Sequence, residues 1–135
     1  MKSETNVGDE IEQTEAGWEF DDDVAQEFDR HVNQSIPNYR KIQDQVVKLV
    51  DWFTSDSTEE TIYDLGCATA TTIKLLIENG VRSENREYVG IDEARPMLEQ
   101  AYEKIDMYDN VRLLEEDITE RRRFPNATVV LSLFT

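Results

Sequence analysis

The stretch IYDLGCATATTIKLL, residues 62–76, constrains the fold of this chain more than any other. An apolar run ends in an acid, turns at a single glycine and re-enters a segment with helical spacing, the pattern of a strand, loop and helix that together cradle a ligand. The same alternation continues downstream. TIYDL (61–65) leads to a helix near 70–78 closed by Asn-Gly. EYVGID (87–92) leads to a helix begun at Pro96, with Met97, Leu98, Ala101 and Ile105 on one face. NVRLLEED (110–117) is a third strand, and ATVVLSLF (127–134) reads as a near-continuous apolar strand of the kind buried on both faces of a parallel sheet. The fold class expected is α/β, a Rossmann-like doubly wound parallel sheet.

Two helices are expected ahead of that alternation. Phe20, Val24, Phe28 and Val32 recur every four residues behind the acids Asp21 to Asp23, the pattern of a short amphipathic helix. Pro37 then breaks the periodicity. Tyr39, Ile42, Val46, Leu49, Val50 and Phe53 follow three-and-four spacing over a longer helix, and TSDSTEE (54–60) is a polar loop. Residues 1–17 are acidic and almost free of apolar side chains, so they are expected to be a disordered tail, with one domain over 18–135. An apolar fourth strand left at a sheet edge would expose unpaired backbone. The sheet is therefore expected to be truncated after that strand and completed by a missing C-terminal half or a partner chain.

A net charge of −16 argues against a bare phosphate-binding surface and against direct nucleic-acid binding. The single cysteine, Cys67, cannot form an internal disulfide, and no apolar run approaches the ~20 residues of a membrane span, so no membrane partner and a cytoplasmic location are expected. No cluster with metal-ligand spacing stands out, and no metal is expected.

The loop chemistry narrows the ligand. Gly66, just past a strand, lets backbone approach a ligand closely, and Asp92 at the tip of the next strand can accept hydrogen bonds from two ribose hydroxyls. A dinucleotide pyrophosphate calls for three glycines, whereas Gly66 is followed here by Cys67, Ala68, Thr69 and Ala70. A nucleoside carrying an amino acid and no phosphate makes a weaker demand.

YDLGCATA resembles the first motif of the class I S-adenosylmethionine-dependent methyltransferases, VGIDEARPMLEQA their second strand and following helix, and LLEEDITE their adenine-contacting acid and apolar pair. FDDDVAQEFDRHVNQSIPNY and VVLSLFT are similar to the carboxy-S-adenosylmethionine synthase group and its methyltransferase relatives in tRNA wobble-uridine modification. The resemblance covers residues 18–135. It implies S-adenosyl-L-methionine as cofactor, with Tyr39 in a segment that folds over it, Asp64 reaching its ammonium and Gly66 beside its methionyl part. It further implies Asp92 on the ribose, Asp117 and Ile118 on the adenine, and Ser132 bordering the methionyl moiety. Many class I enzymes carry glycines where this chain has Ala68 and Ala70. The added methyls are expected to narrow the loop and to deny it positive φ.

More ordinary roles compete for several of these residues. Asp92 could cap a helix, and Asp117 could simply close a turn. Cys67 is expected to pack as a small hydrophobe rather than act as a nucleophile, His31 to sit near a helix end without catalytic duty, and Arg121 to Arg123 to form a solvated loop. No catalytic residue is assigned and the acceptor is unknown. The function expected is S-adenosylmethionine-dependent methyl transfer. One rival is carboxy-S-adenosylmethionine synthesis, for which the resemblance implies prephenate as carboxyl donor; another is a non-catalytic cofactor-binding or assembly fragment. A nicotinamide-dependent oxidoreductase is disfavoured by the single glycine.

Overall fold

The apolar runs pair side by side as a four-stranded, all-parallel sheet in the order β3-β2-β1-β4, in a computed structural model that describes residues 22–54, 59–79 and 86–134. In chain order the elements are α1 (Asp22–Ser35), α2 (Tyr39–Phe53), β1 (Glu60–Leu65), α3 (Thr71–Asn79), β2 (Arg86–Asp92), α4 (Arg95–Ile105), β3 (Val111–Glu115) and β4 (Ala127–Ser132). The expected class and the two leading helices are present. The tail expected over 1–17, Phe20, the side chain of Val24 and the acids Asp21 to Asp23 as a cap lie outside the described residues or side chains.

Helical stripes and strand runs meet in one core. Val46 and Val50 of α2, Ile73 and Leu76 of α3, and Leu98, Ala101 and Ile105 of α4 pack with Ile62 and Tyr88. The opposite face of the sheet gathers Tyr63, Val89 and Ile91 against Leu65, Leu114, Ile118 and Phe124. Gly90 sits where a Cβ would come within 2.8 Å of Leu113 and 2.9 Å of Cys67, so its lack of a side chain lets the loop after β1 close onto the sheet.

Two expectations are corrected. Glu60, placed in a polar loop by the sequence, is the first residue of β1 and is buried opposite Arg86 in the strand register. β4, expected to be buried on both faces, pairs only with β1 and lies at the edge of the described sheet, where Val130 is 42% exposed. Apolar composition drives burial only where another element covers that face of the strand: Val129 and Leu131 pack partly buried against the core beneath the helices, whereas Val130 between them stays exposed.

Candidate functional site

Strand order fixes where a ligand can sit. From β1 the chain steps outward through β2 to β3, then returns to place β4 on the other side of β1. The carboxyl ends of β1 and β4 thus form a switch point, the crevice in which open α/β sheets bind ligands. Two cavities open there, of about 260 Å³ and 410 Å³. They share a ridge made by Gly66 and Ala68 below, with Phe28 of α1 and Phe134 above.

The ridge is held by the tip of β2. The backbone amides of Gly66 and Cys67 donate to the carbonyl of Ile91 at 2.8 and 3.0 Å. Asp92 Oδ2 accepts from the amide of Ala68 and Oδ1 from that of Ala94, both at 2.9 Å. Asp92 therefore braces both the loop after β1 and the turn into α4 without capping that helix, whose N-cap is Ala94, and it also lines the larger cavity. Each carboxylate oxygen keeps a further lone pair for a ligand hydroxyl.

Gly66 has φ 68°, and the alanines that follow also adopt left-handed backbone, Ala68 at φ 48° and Ala70 at φ 62°. The expectation that their methyls deny the loop positive φ is overturned. The brace from Asp92 and the bond from the Ala70 amide to the carbonyl of Cys67 hold the strained geometry in place. Relief at Ala68, which is half-buried, should be measurable. Left-handed alanine costs about 1–2 kcal/mol and glycine returns about 0.5–1 in lost chain freedom, so Ala68→Gly is expected to stabilise the fold by about 0.5–1 kcal/mol. Ala70 is fully buried in the core, and losing its methyl forfeits about 0.8 kcal/mol, which leaves Ala70→Gly near neutral. Urea midpoints of the two variants check this ordering.

Asp64 lines the smaller cavity and is 3% exposed. Burial, reinforced by the nearby Asp92, pushes its carboxyl up to about 7. No hydrogen bond joins its side chain to any described residue, so burial favours its neutral form and a cation seated beside it would draw it toward the carboxylate. Tyr39 lines the same cavity beside Gln43 and meets the ring of Phe134 at 5.7 Å; burial raises its phenol above the ordinary value. Asp117 and Ile118 line the larger cavity with Glu93, Met97 and Glu116. Asp117 is exposed and its Oδ1 accepts from the amide and hydroxyl of Thr119 at 2.8 and 2.6 Å, which hold its carboxyl below the usual value.

The structure thus brings six of the seven implied cofactor residues onto the two cavities. Ser132 is the exception: it is exposed on β4 opposite Leu65, and the two residues after it, Leu133 and Phe134, line the smaller cavity instead. Sequence reasoning did not assign Phe28, Met97 or Phe134 to the site. The four-residue spacing that carries Phe28 marks an amphipathic helix, the stripe that carries Met97 marks a helix face, and neither these nor the apolar run ending at Phe134 point to a ligand.

Cys67 is buried, and burial first, then Asp64 and Asp92, push its thiol upward, against a nucleophilic role. His31 lies inside α1, half-buried. Arg121 departs from the solvated loop expected of it: it pairs with Glu116 at 2.6 Å and lies over the rings of Tyr63 and Phe124 at 5.8 and 5.7 Å.

Among the described residues, those lining the two cavities include no lysine or arginine and several carboxylates. That chemistry suits a nucleoside bearing positive charge and opposes a pyrophosphate. Comparison with known proteins agrees in fold and in sequence. Over 106 residues, 76% of its length, the chain is 34% identical to a carboxy-S-adenosyl-L-methionine synthase from Desulfotalea psychrophila. The chain is similar in sequence to carboxy-S-adenosyl-L-methionine synthases and has the fold of S-adenosylmethionine-dependent methyltransferases. A Methanococcus maripaludis structure described as an S-adenosyl-L-methionine-dependent methyltransferase superposes with a TM-score of 0.59 at 18% identity, covering 90% of this chain and 53% of its own. A methyltransferase from Geobacter sulfurreducens, solved with S-adenosyl-L-homocysteine, superposes at 0.50 and 15% identity, covering 64% of this chain and 34% of its own. No protein-family model matches the chain. The chain spans about half the length of the curated relatives it matches. Among the described residues no helix is long and apolar enough to cross a membrane.

Proposed function

We propose that the chain binds S-adenosyl-L-methionine across the two cavities and serves methyl transfer to an unidentified acceptor in the cytoplasm. The observation that carries this reading is Asp64: a buried carboxyl with no hydrogen bond to any described residue, at the carboxyl end of β1, suits the ammonium of an amino acid. In this reading Gly66 brings backbone to the methionyl part and Tyr39 covers it. Asp92 takes the ribose hydroxyls, Asp117 and Ile118 meet the adenine, and Ser132 acts from the rim. The cofactor supplies a methyl group already activated on a sulfonium, so the chain's residues align and shield it rather than provide a nucleophile. The open edge of β4 and the greater length of the relatives support a further polypeptide, C-terminal or separate, that completes the sheet and selects the acceptor.

Carboxy-S-adenosylmethionine synthesis is the second reading, favoured by the sequence similarity to synthases of that name. Mass spectrometry of the nucleoside retained by purified protein separates the two. Binding itself is tested by calorimetric titration with S-adenosyl-L-homocysteine. Asp92→Ala is expected to weaken it about ten- to hundredfold, because the change removes a charged acceptor from two hydroxyls and unbraces the Ala68 amide. A wild-type chain that shows no heat, or an Asp92→Ala chain that binds as well as wild type, counts against the assignment.

A further inference from the structure

None of the described side chains from 27 to 35 on α1 is buried, although α1 roofs the ridge between the cavities through Phe28. Over these described residues the apolar anchorage is a partly buried Phe28 against Met97, so the other bonds that hold the segment bear on how easily it opens. A cluster of them is polar. Lys104 Nζ, from the last turn of α4, donates to Asp29 Oδ2 at 2.6 Å, to Thr71 Oγ1 at 2.9 Å and to Thr69 Oγ1 at 3.0 Å. Thr69 and Thr71 in turn donate to Asp29 Oδ1 at 2.6 and 3.2 Å. Burial works against ionisation of Asp29, and the bonds from Lys104, Thr69 and Thr71 overcome it, holding the carboxyl below its ordinary value.

This cluster ties three elements together: the roof, the loop that begins at the Gly66–Ala68 ridge, and α4. Thr69 is 2% exposed and follows Ala68 directly, so movement of α1 and the shape of the ridge are mechanically linked. Between α1 and α2 lies a short turn at Ile36 to Asn38, with Pro37 and Asn38 at φ 60°, where a change of direction can be confined to a few residues.

We propose that Asp29 and Lys104, through Thr69 and Thr71, latch α1 closed over the cavities and so set how long a bound nucleoside is retained. Asp29 and Lys104 are positioning residues here, and the retention clause rests on the cofactor reading above. Amide exchange on the full chain, free and with S-adenosyl-L-homocysteine, tests the latch together with stopped-flow dissociation of that ligand. Asp29→Asn and Lys104→Met are each expected to speed exchange over residues 27–35 and at Thr69 to Thr71 by roughly tenfold, the equivalent of one bond to a charged group. Exchange in β1 and β2 should stay as in wild type, and the double variant should be no worse than either single one. Ligand dissociation should quicken by a similar factor. Unchanged exchange over 27–35 in both single variants overturns the latch. Faster exchange with unchanged dissociation overturns its link to retention. If wild type binds no S-adenosyl-L-homocysteine, the cofactor reading and the retention clause fall together, while exchange in the free protein still decides whether the latch exists.

Discussion

Glu60→Ala is expected to destabilise the fold by about 3–5 kcal/mol, because it leaves the guanidinium of Arg86 buried without its carboxylate. The pair joins the first residues of β1 and β2: Arg86 Nε donates to Glu60 Oε2 at 3.1 Å, and both side chains are almost wholly buried. Arg86 also donates to the hydroxyl of Thr54 at the end of α2 and lies 4.0 Å from Asp51. One cation therefore anchors two strands and a helix. Arg86→Met should be costly for the converse reason, taking the guanidinium away from the buried Glu60 carboxylate. The double change Glu60→Met with Arg86→Met should cost less than either single change, since matched apolar side chains leave no charge to desolvate. Urea unfolding with unchanged slope is the measurement. Single variants within about 1 kcal/mol of wild type would mean that water reaches the pair.

That pair also shows where sequence reasoning stops. Val89, Ile91, Met97, Leu98 and Ala101 declare their burial by period alone, since strand runs and helical stripes have fixed repeats. Glu60 has no such signature. A charged residue beside Ser, Thr and another Glu reads as loop, and only the strand register that places it opposite Arg86 reveals a partner. The site divides in the same way. Gly66 and Asp92 are legible because a strand end, a tight turn and an acid on the next strand are local features. The roles of Phe28, Phe134 and Asp29 depend on how α1 and the residues after β4 fold back over the ridge, over tens of residues of chain. Ala68 and Ala70 mislead for a further reason. Backbone preference argues against positive φ for alanine, but here the amides of the loop are fixed by Asp92 and Cys67 before preference can decide.

Asp64→Asn is expected to stabilise the ligand-free protein above neutral pH while weakening S-adenosyl-L-homocysteine about ten- to hundredfold. In the folded chain burial, with Asp92 nearby, raises this carboxyl from 3.8 to about 7. A raised value means the folded state resists ionisation. Stability is therefore full below pH 4, falls as pH rises through 7, and levels off above it, with a total loss on the order of 4 kcal/mol for a fully buried group. Asparagine carries no charge at either extreme, so the gap between variant and wild type should be smallest below pH 4, widen steadily from pH 4 to 7 and be complete by pH 8. Binding should respond in the opposite sense. A ligand ammonium seated against Asp64 favours the ionised carboxylate, so wild-type affinity is expected to fall as pH drops from 7.5 to 5.5, with proton release on binding. The variant should show a flatter profile over the same interval. Thermal unfolding across pH and calorimetry in two buffers of different ionisation enthalpy read both effects. Equal affinity in variant and wild type, together with a stability gap that does not change with pH, would mean that Asp64 is neither strained by burial nor the group that receives the ammonium, because one buried carboxylate cannot hold the charge without both consequences.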